Sequence, residues 1–395
     1  MRWLFILLVS CNSLPILANP ALFSHAEITL MHKAFSQHQD NFTREQTKTR
    51  LAENQFLLDQ AQQHQSHLLA RQSEVGYATK FHARRYVMSL LTSHFVSTAA
   101  PQKAVVNWAN YTQTQLQADL PSYPNDNHYS SAQLKKLANI DLTSFSGAPL
   151  TLADLMHEQS MQNRYKLHQG DYTLFKQLLN EHRQYNRLIK HLKVQLTQSN
   201  ISLKNLALIA TGELIRSPML SYFGVQTQMH GERSDYVEIL KSNITTQDIK
   251  QFYMQHKADF KHKSTVYASG AIFSSSKNAA SFKKAVIKTS FQKALSQHAL
   301  NNIFAKTKGI LTREHNSQWA AQVVFNLKES QLAGPIRSPN GQWLVAQTHQ
   351  VKFDYYSVQS ETVRYQATLA LIEEAAKLAY QKNKLAWFKL HKLSL

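Results

Sequence analysis

The first long segment of the chain contains neither glycine nor proline. Residues 27–71 are rich in Gln, Leu, Ala and Lys, so no residue in them would interrupt a helix. Leu51, Leu58 and Ala61 recur at helical spacing and fall on one face. The pattern predicts a pair of amphipathic helices, and we expect the chain to remain mostly helical to about residue 243.

Turn-forming residues interrupt this pattern in its middle. They cluster at 118–130 and 142–149, where we predict linkers or irregular excursions. A new helix follows, because Thr151 is a suitable N-cap and Asp154 is the acidic residue at N3 of a capping box. We predict that this helix continues to about His168.

The last segment predicts one long helix, from Glu361 to Leu390. Its apolar positions form a single stripe: Leu371, Ala375, Leu378, Leu385 and Phe388. Such a stripe either packs on other helices of the chain or belongs to a self-contained terminal helix.

Residues 1–18 have the features of a secretory signal peptide. Arg2 gives a positive start, residues 3–9 are apolar, and Ala18 ends a plausible cleavage site. The four residues that end at Cys11 also resemble a bacterial lipobox, and lipidation at Cys11 is the alternative. No later segment reaches the ~20 apolar residues of a membrane span. We therefore predict an exported periplasmic protein without a transmembrane span in the mature chain.

Cysteine and histidine usage argues against metal chemistry. Cys11 is the only cysteine, so its removal with the signal would leave no thiol for a disulfide, a nucleophile or a metal site. The 19 histidines are scattered, and no pair at helical spacing comes with an acidic third ligand. We predict no metal site and no cofactor.

The net charge of +19 is unevenly distributed. Residues 245–352 contain 15 basic and 4 acidic residues, a net charge of +11. This field favours acidic partners such as anionic envelope components or acidic polypeptides, although a merely solvated basic surface would look the same. The chain contains no zinc-ligand spacing, RNA-binding signature or compact Lys/Arg run, so we do not expect a nucleic-acid partner.

Four motifs follow one another in the second half of the chain. ITTQDIKQFY begins at Ile244, VYASGAIF at Val266, VFNLKESQLAGPIRS at Val324 and NGQWLV at Asn340. In this order and at these spacings they resemble a parvulin-type peptidyl-prolyl isomerase domain. The resemblance implies a small α/β module over residues 244–353.

Local signals agree with such a module. Thr245 and Asp248 form a second capping-box pattern, which predicts a lead-in helix to about His256. We expect strands at 266–274 and 343–347, a helix at 279–293, and turns at Gly334–Pro335 and 339–341.

The chain departs from the family pattern at the active site. The resemblance places the two family histidines at Gly270 and Trp343, and the proline-pocket Met and Phe at about Asn316 and Ala320. His298 is the nearest candidate for the remaining acid or thiol group. Because glycine has no side chain and indole is only a donor, we predict no catalytic residue.

Three residues are candidates for peptide binding. Phe325 and Leu327 match the Phe-x-Leu with which a parvulin helix ends, and Trp343 would act in packing or peptide contact. The Gly-rich turn of the family survives as a remnant at 308–311.

Residues 50–61 are similar to the N-terminal chaperone helices of the SurA and PrsA families. In those families the terminal helix packs back on the N-terminal helices. The resemblance implies an α+β protein whose helical region, 19–243, is completed by 354–395, with the parvulin-like module 244–353 inserted.

The implied function is that of an exported holdase that binds unfolded or partly folded envelope polypeptides without isomerase activity. Two alternatives stay open. One is an active peptidyl-prolyl isomerase with a non-standard site, and the other is an accessory scaffold in envelope or polysaccharide secretion.

Overall fold

The computed structural model describes residues 22–37, 39, 41–95, 106–226, 234–313 and 318–393. The signal-peptide and Cys11 predictions therefore lie outside the described residues. The chain divides into two compact units: residues up to Ile239 together with Ala375–Leu395 form the first, and Leu240–Glu374 form the second. Helices with one small antiparallel sheet make the chain α+β, as the sequence predicts.

The first unit is built from helices. Those before the second unit are α1 (His25–Ser36), α2 (Arg44–His64), α3 (His67–Ala70), α4 (Thr79–Phe95), α5 (Gln113–Asp119), α6 (Ser131–Ala138), α7 (Thr143–Ser146), α8 (Leu152–Glu158), α9 (Met161–His168), α10 (Tyr172–Gln198) and α11 (Leu203–Tyr222). The helix α12 (Asp235–Ser242) leads into the second unit. The predicted face of α2 is confirmed, because Leu51, Leu58 and Ala61 are all buried.

The predicted helix from Thr151 to His168 is correct at its start and wrong in its length. Thr151 and Asp154 form the capping box at the start of α8. The helix then ends at Glu158, and Gln159 is extended. Ser160 accepts a hydrogen bond from the backbone N–H of Asn163 and is the N-cap of α9. A new helix therefore begins here, and α8 does not continue.

The turn-rich segments 118–130 and 142–149 carry core residues. Leu120, Leu142 and Phe145 are at most 4% exposed and pack in one cluster with side chains of α8 and α10. Short helices joined by turns thus fill this part of the first unit.

The terminal helix α17 has the predicted bounds, Glu361–Leu390, but a different buried face. Leu378 and Leu385 are 66% and 59% exposed, so the predicted leucine stripe is wrong. Tyr380 and Trp387 are buried instead, and they pack together with the buried Phe388. Aromatic rings bury more apolar area than leucine, and their polar atoms have partners here.

Glu53 provides one of these partners. Its Oε1 accepts hydrogen bonds from the Tyr380 hydroxyl at 2.7 Å and from Lys384 Nζ at 3.0 Å, and its Oε2 accepts one from Arg216. Burial by itself raises the pKa of Glu53, but the Tyr380 hydrogen bond and the Arg216 charge outweigh burial and lower it. Polar contacts therefore fix the part of α17 that belongs to the first unit on α2 and α11.

The second unit contains a four-stranded antiparallel sheet with helices. Its elements are α13 (Thr246–Gln255), β1 (Lys261–Phe273), α14 (Ser276–Lys288), α15 (Phe291–Gln297), β2 (Ile310–Thr312), α16 (Trp319–Asn326), β3 (Leu332–Arg337) and β4 (Trp343–Tyr355), in strand order β2-β1-β4-β3. The capping box of Thr245 and Asp248 is confirmed at the start of α13.

Two predictions for this unit need correction. The helix predicted at 279–293 is divided, because Ser290 caps a new helix, α15. The predicted turn at Gly334–Pro335 lies inside β3, where the peptide bond is cis and the register with β4 shifts between Ala333 and Ile336. A Cβ on Gly334 would come within 2.5 Å of the Leu344 carbonyl oxygen, so this close approach requires glycine.

Candidate functional site

The sheet of the second unit has two differently packed faces. Because side chains alternate along a strand, Gly270 shares one face of β1 with Val266 and Ala268. Gly270 pairs with Ala346 of β4, and Ala346 and Leu344 pack in the same apolar cluster as Val266 and Ala268. We call this surface the Gly270 face.

The space above Gly270 is filled. A Cβ at this position would lie 2.9 Å from the Phe304 ring and 3.0 Å from the Ile303 side chain. The N–H of Gly270 donates to Asn302 Oδ1 at 2.9 Å, and its carbonyl accepts from the Ile303 N–H at 3.0 Å. A histidine side chain has no room here, so this position offers neither a proton donor nor an acceptor from a side chain.

The glycine-turn remnant holds this packing in place. Lys308 and Gly309 both have left-handed backbone conformations, with φ of 56° and 78°. A Cβ on Gly309 would lie 2.9 Å from the Ala268 carbonyl oxygen. The Gly309 carbonyl accepts from the Ala268 N–H at 2.8 Å, and its N–H donates to the Phe304 carbonyl at 2.9 Å. Through these two hydrogen bonds, the turn holds Phe304 in its position next to β1.

Trp343 lies on the other face of the sheet. It pairs with Phe273 and packs against the cluster that contains Ala271, Phe282 and Val345. His298 is exposed at the end of α15, with its ring 5.5 Å from that of Phe282. The structure thus does not bring Gly270, Trp343 and His298 together.

The period of two along β4 explains the separation. Ala346 is the partner of Gly270, so a residue an odd number of positions away points to the opposite face. The β4 residue that shares the Gly270 face nearest to Trp343 is Leu344, which is fully buried. Counting the alternation through the sequence of β4 would have separated Trp343 from Leu344.

Phe325 and Leu327 do belong to the Gly270 face. Leu327 is buried, and Phe325 is partly buried against the same cluster. Lys263 Nζ donates to the carbonyls of Phe325 at 2.9 Å and Leu327 at 2.6 Å, which neutralises the C-terminal end of α16. An open, polar cavity of about 410 Å³ adjoins this end; its lining includes Lys263, Arg313 and Phe325.

Of the two proline-pocket positions, only one can be placed. Ala320 is partly buried against the Gly270-face cluster, and Asn316 lies outside the described residues. Ala320 contributes only a methyl group to this region, far less apolar surface than an aromatic ring.

A serine–histidine contact on the same two strands was not anticipated from the sequence. Ser269 Oγ lies 2.9 Å from His349 Nε2, and burial lowers the pKa of His349. Ser269 alternates with Gly270, so its side chain points away from the Gly270 face. Ser269 pairs with Gln347, and His349 lies two positions further along β4, so alternation puts both side chains on the same face. This contact was missed because the last strand was predicted to end at residue 347.

The described ranges lack both a metal-binding cluster and a membrane-spanning helix. Within them, no group of three or more His, Cys, Asp or Glu side chains is arranged to hold a metal ion. None of the helices in those ranges combines the length and the apolarity that crossing a bilayer requires.

The second unit is thus a small α/β domain built on one four-stranded antiparallel sheet within the described residues. Residues 244–356 match the family model described as "PPIC-type PPIASE domain". This part of the chain is therefore similar to the PPIC-type peptidyl-prolyl isomerase domain family, which confirms the resemblance seen in the sequence. No curated protein matches the chain.

Solved structures of foldases and chaperones are also similar to parts of the chain. PrsA from Bacillus anthracis is 17% identical, with 52% of this chain and 83% of that chain covered and a TM-score of 0.21. Foldase PrsA from Streptococcus pneumoniae is 13% identical, with 57% and 77% covered and a TM-score of 0.22. A SurA-like chaperone of Campylobacter jejuni is 14% identical, with 69% and 98% covered and a TM-score of 0.22. Because these TM-scores are low, the assignment of the domain rests on the family model.

Proposed function

We propose that this protein is an exported, periplasmic folding factor that holds unfolded or partly folded envelope polypeptides and does not catalyse prolyl isomerisation. The PPIC-type domain supports a role in protein folding. The packing above Gly270 carries the second part of the proposal, because Phe304 and Ile303 occupy the space that a catalytic side chain would need. Export rests on the signal-peptide features of residues 1–18.

Exposed apolar side chains of the first unit supply surfaces for an unfolded chain. Leu378 and Leu385 lie two turns apart on α17, and each is more than half exposed. Tyr380 and Trp387 anchor the same helix, so these leucines are presented on a fixed element. Apolar contact requires no sequence-specific recognition, which suits a protein with many clients.

Suppression of aggregation tests the holdase proposal. A stoichiometric amount of the protein should slow the aggregation of a chemically unfolded outer-membrane protein. The double variant Leu378→Ser with Leu385→Ser should suppress aggregation less at unchanged unfolding free energy, since both side chains are exposed. Lys382→Ser, on the same exposed part of the helix, is the matched control and should behave like the original protein. A protein that leaves aggregation unchanged would favour the accessory scaffold instead.

An isomerase with a non-standard site remains the second candidate. The family match favours it, and the Ser269–His349 contact is the one strand-borne serine–histidine pair in the described part of the domain. That pair lies away from the Gly270 face, where Phe325 and Leu327 are found. We therefore rank isomerisation below holding.

A further inference from the structure

Arg164, on α9 of the first unit, is a buried cation with few contacts. Its side chain belongs to a residue that is only 9% exposed. In the described part of the chain its one hydrogen bond joins Nη1 to the Asn127 carbonyl at 3.5 Å, and its Nε has no acceptor. A guanidinium carries five N–H donors, and burial without partners is unfavourable.

Tyr123 adds a second unused donor at the same place. Its hydroxyl is buried and has no hydrogen-bond partner among the described residues. Its ring packs edge-on to His168, with centroids 5.1 Å apart. Arg164 lies one helical turn before His168 on α9, and its Nη1 reaches the Asn127 carbonyl, so the Tyr123 and Arg164 side chains both lie against the segment 121–129.

The other polar groups nearby are already occupied. The His168 ring contacts the Pro121 carbonyl through Nδ1, and its Nε2 lies 3.0 Å from the Tyr129 hydroxyl. Arg71 donates to three backbone carbonyls, including that of Gln159 at 3.1 Å. Burial and then the charge of Arg164 lower the pKa of Arg71, as expected for two neighbouring cations.

No carboxylate neutralises Arg164 within the described ranges. Glu158, which precedes α9, is bound by Arg84 and contacts His182 at 3.1 Å. The negative charge of Glu74 acts on Arg71, whose pKa it raises. Arg164 itself forms no ion pair with any described residue. The cluster thus combines excess positive charge with two buried donors that lack acceptors.

We propose that the Arg164 guanidinium and the Tyr123 hydroxyl bind a small oxyanion, a phosphate or a carboxylate group, beneath the segment 121–129. A tetrahedral or planar oxyanion accepts several hydrogen bonds and matches the guanidinium fork. The rings of Tyr129, Tyr165 and His168 contact that of Tyr123, with centroids 6.4, 6.0 and 5.1 Å away.

Binding of inorganic phosphate and of acetate to the full chain tests this site. Ionic strength is held constant with chloride, and each anion is titrated calorimetrically at pH 7 while thermal melting is followed in parallel. We expect saturable one-to-one binding of at least one anion, together with a rise in Tm. Tighter phosphate binding would identify a phosphate-bearing ligand, and tighter acetate binding a carboxylate; either result supports the site.

Three variants locate the binding. Arg164→Gln should weaken it about tenfold to a hundredfold, the loss expected for hydrogen bonds to a charged group. Arg364→Gln, which removes the same charge from an exposed position of α17, should leave binding unchanged. Tyr123→Phe should weaken binding about twofold to tenfold, and this conservative variant tests the site if Arg164→Gln fails to fold.

Two results would overturn the proposal. One is a protein whose Tm and calorimetric signal are insensitive to both anions, which would mean that ordered water alone fills the site. The other is an equal loss of binding in Arg164→Gln and Arg364→Gln, which would show that only net charge matters.

Discussion

The helical unit and the PPIC-type domain bury different kinds of groups. The helical unit encloses the carboxylates of Glu27, Glu53 and Glu158, each 8% exposed or less and each bonded to another segment of the chain. The Gly270 face of the domain encloses glycine and aliphatic or aromatic side chains instead. Buried charges specify how the helices dock, whereas the sheet face is packed as core.

In the PPIC-type domain, the residues that maintain the fold are therefore different from those that catalysis would require. An isomerase site needs polar side chains that face a substrate across open space. The strand order and glycine turn of the domain do not depend on such side chains, so the domain keeps its fold when the face is apolar. Each prediction below tests one side of this contrast.

The largest expected effect is on the anchored face of α17. Trp387→Ala should destabilise the helical unit by about 3–5 kcal/mol, because it removes a buried indole and its bond to Asp59 at 2.9 Å. Leu378→Ala should change stability by less than about 0.5 kcal/mol, because that side chain is exposed. Denaturant unfolding followed by helical circular dichroism measures both. Equal losses of unfolding free energy in the two variants would indicate that Leu378 is buried, as the predicted leucine stripe requires.

The next effect concerns the buried carboxylate itself. Glu53→Gln leaves Arg216 and Lys384 without their counter-charge and should cost about 3 kcal/mol, near the lower limit for a broken buried pair because Arg216 is partly exposed. Glu45→Gln removes an exposed contact to Lys48 and should cost about 0–1 kcal/mol. Chemical denaturation of the two variants distinguishes them. Similar losses would mean that the buried network contributes no more than a surface pair.

Gly270→His tests the packing of the sheet face. The new side chain would overlap Phe304 and Ile303, so we expect a loss of about 1–3 kcal/mol. Phe304→Ala in the same chain should restore part of that loss, and a double-mutant cycle measures the coupling. Purely additive losses would show that Phe304 does not occupy the space above Gly270.

The smallest effect is a difference in pH dependence. Burial alone raises the pKa of Glu158, but its contact with His182 and the charge of Arg84 outweigh burial and lower it. The stability from this carboxylate is therefore complete above the pKa of the unfolded chain, about 4.3, and is lost as pH falls through the lower folded value. Melting temperatures between neutral and acidic pH should fall more steeply for the original protein than for Glu158→Gln. If the melting temperatures of the two proteins fell equally with pH, the lowered pKa of Glu158 would be contradicted.

Local sequence signals predicted the starts of elements better than their packing. The capping boxes at Thr151 and Thr245 and the bounds of α17 were predictable, because they depend on neighbouring residues. The buried face of α17 depends on Glu53 and Asp59, more than 300 residues away in the sequence. Heptad spacing alone could not show which apolar residues would find partners.

The candidate site was predictable only in part. The resemblance named Gly270, Phe325, Leu327 and Trp343 as site positions, but the structure places only the first three on one face, because Trp343 is one residue away from Leu344. An error of one position along a strand moves the predicted side chain to the opposite face of the sheet. The Arg164 and Tyr123 pair left no sequence signal, since neither residue belongs to a motif.

Prolyl isomerisation by the full chain is the most direct measurement of whether a filled Gly270 face precludes catalysis. The uncatalysed barrier is ~18–20 kcal/mol, and Phe304 and Ile303 fill the space above Gly270 from which a catalytic side chain would act to lower it. In a proline-containing tetrapeptide assay, stoichiometric protein should give no rate above the spontaneous one. A robust acceleration would contradict this expectation, and its loss on substitution of His349 or His298 by Ala would show which side chain is responsible.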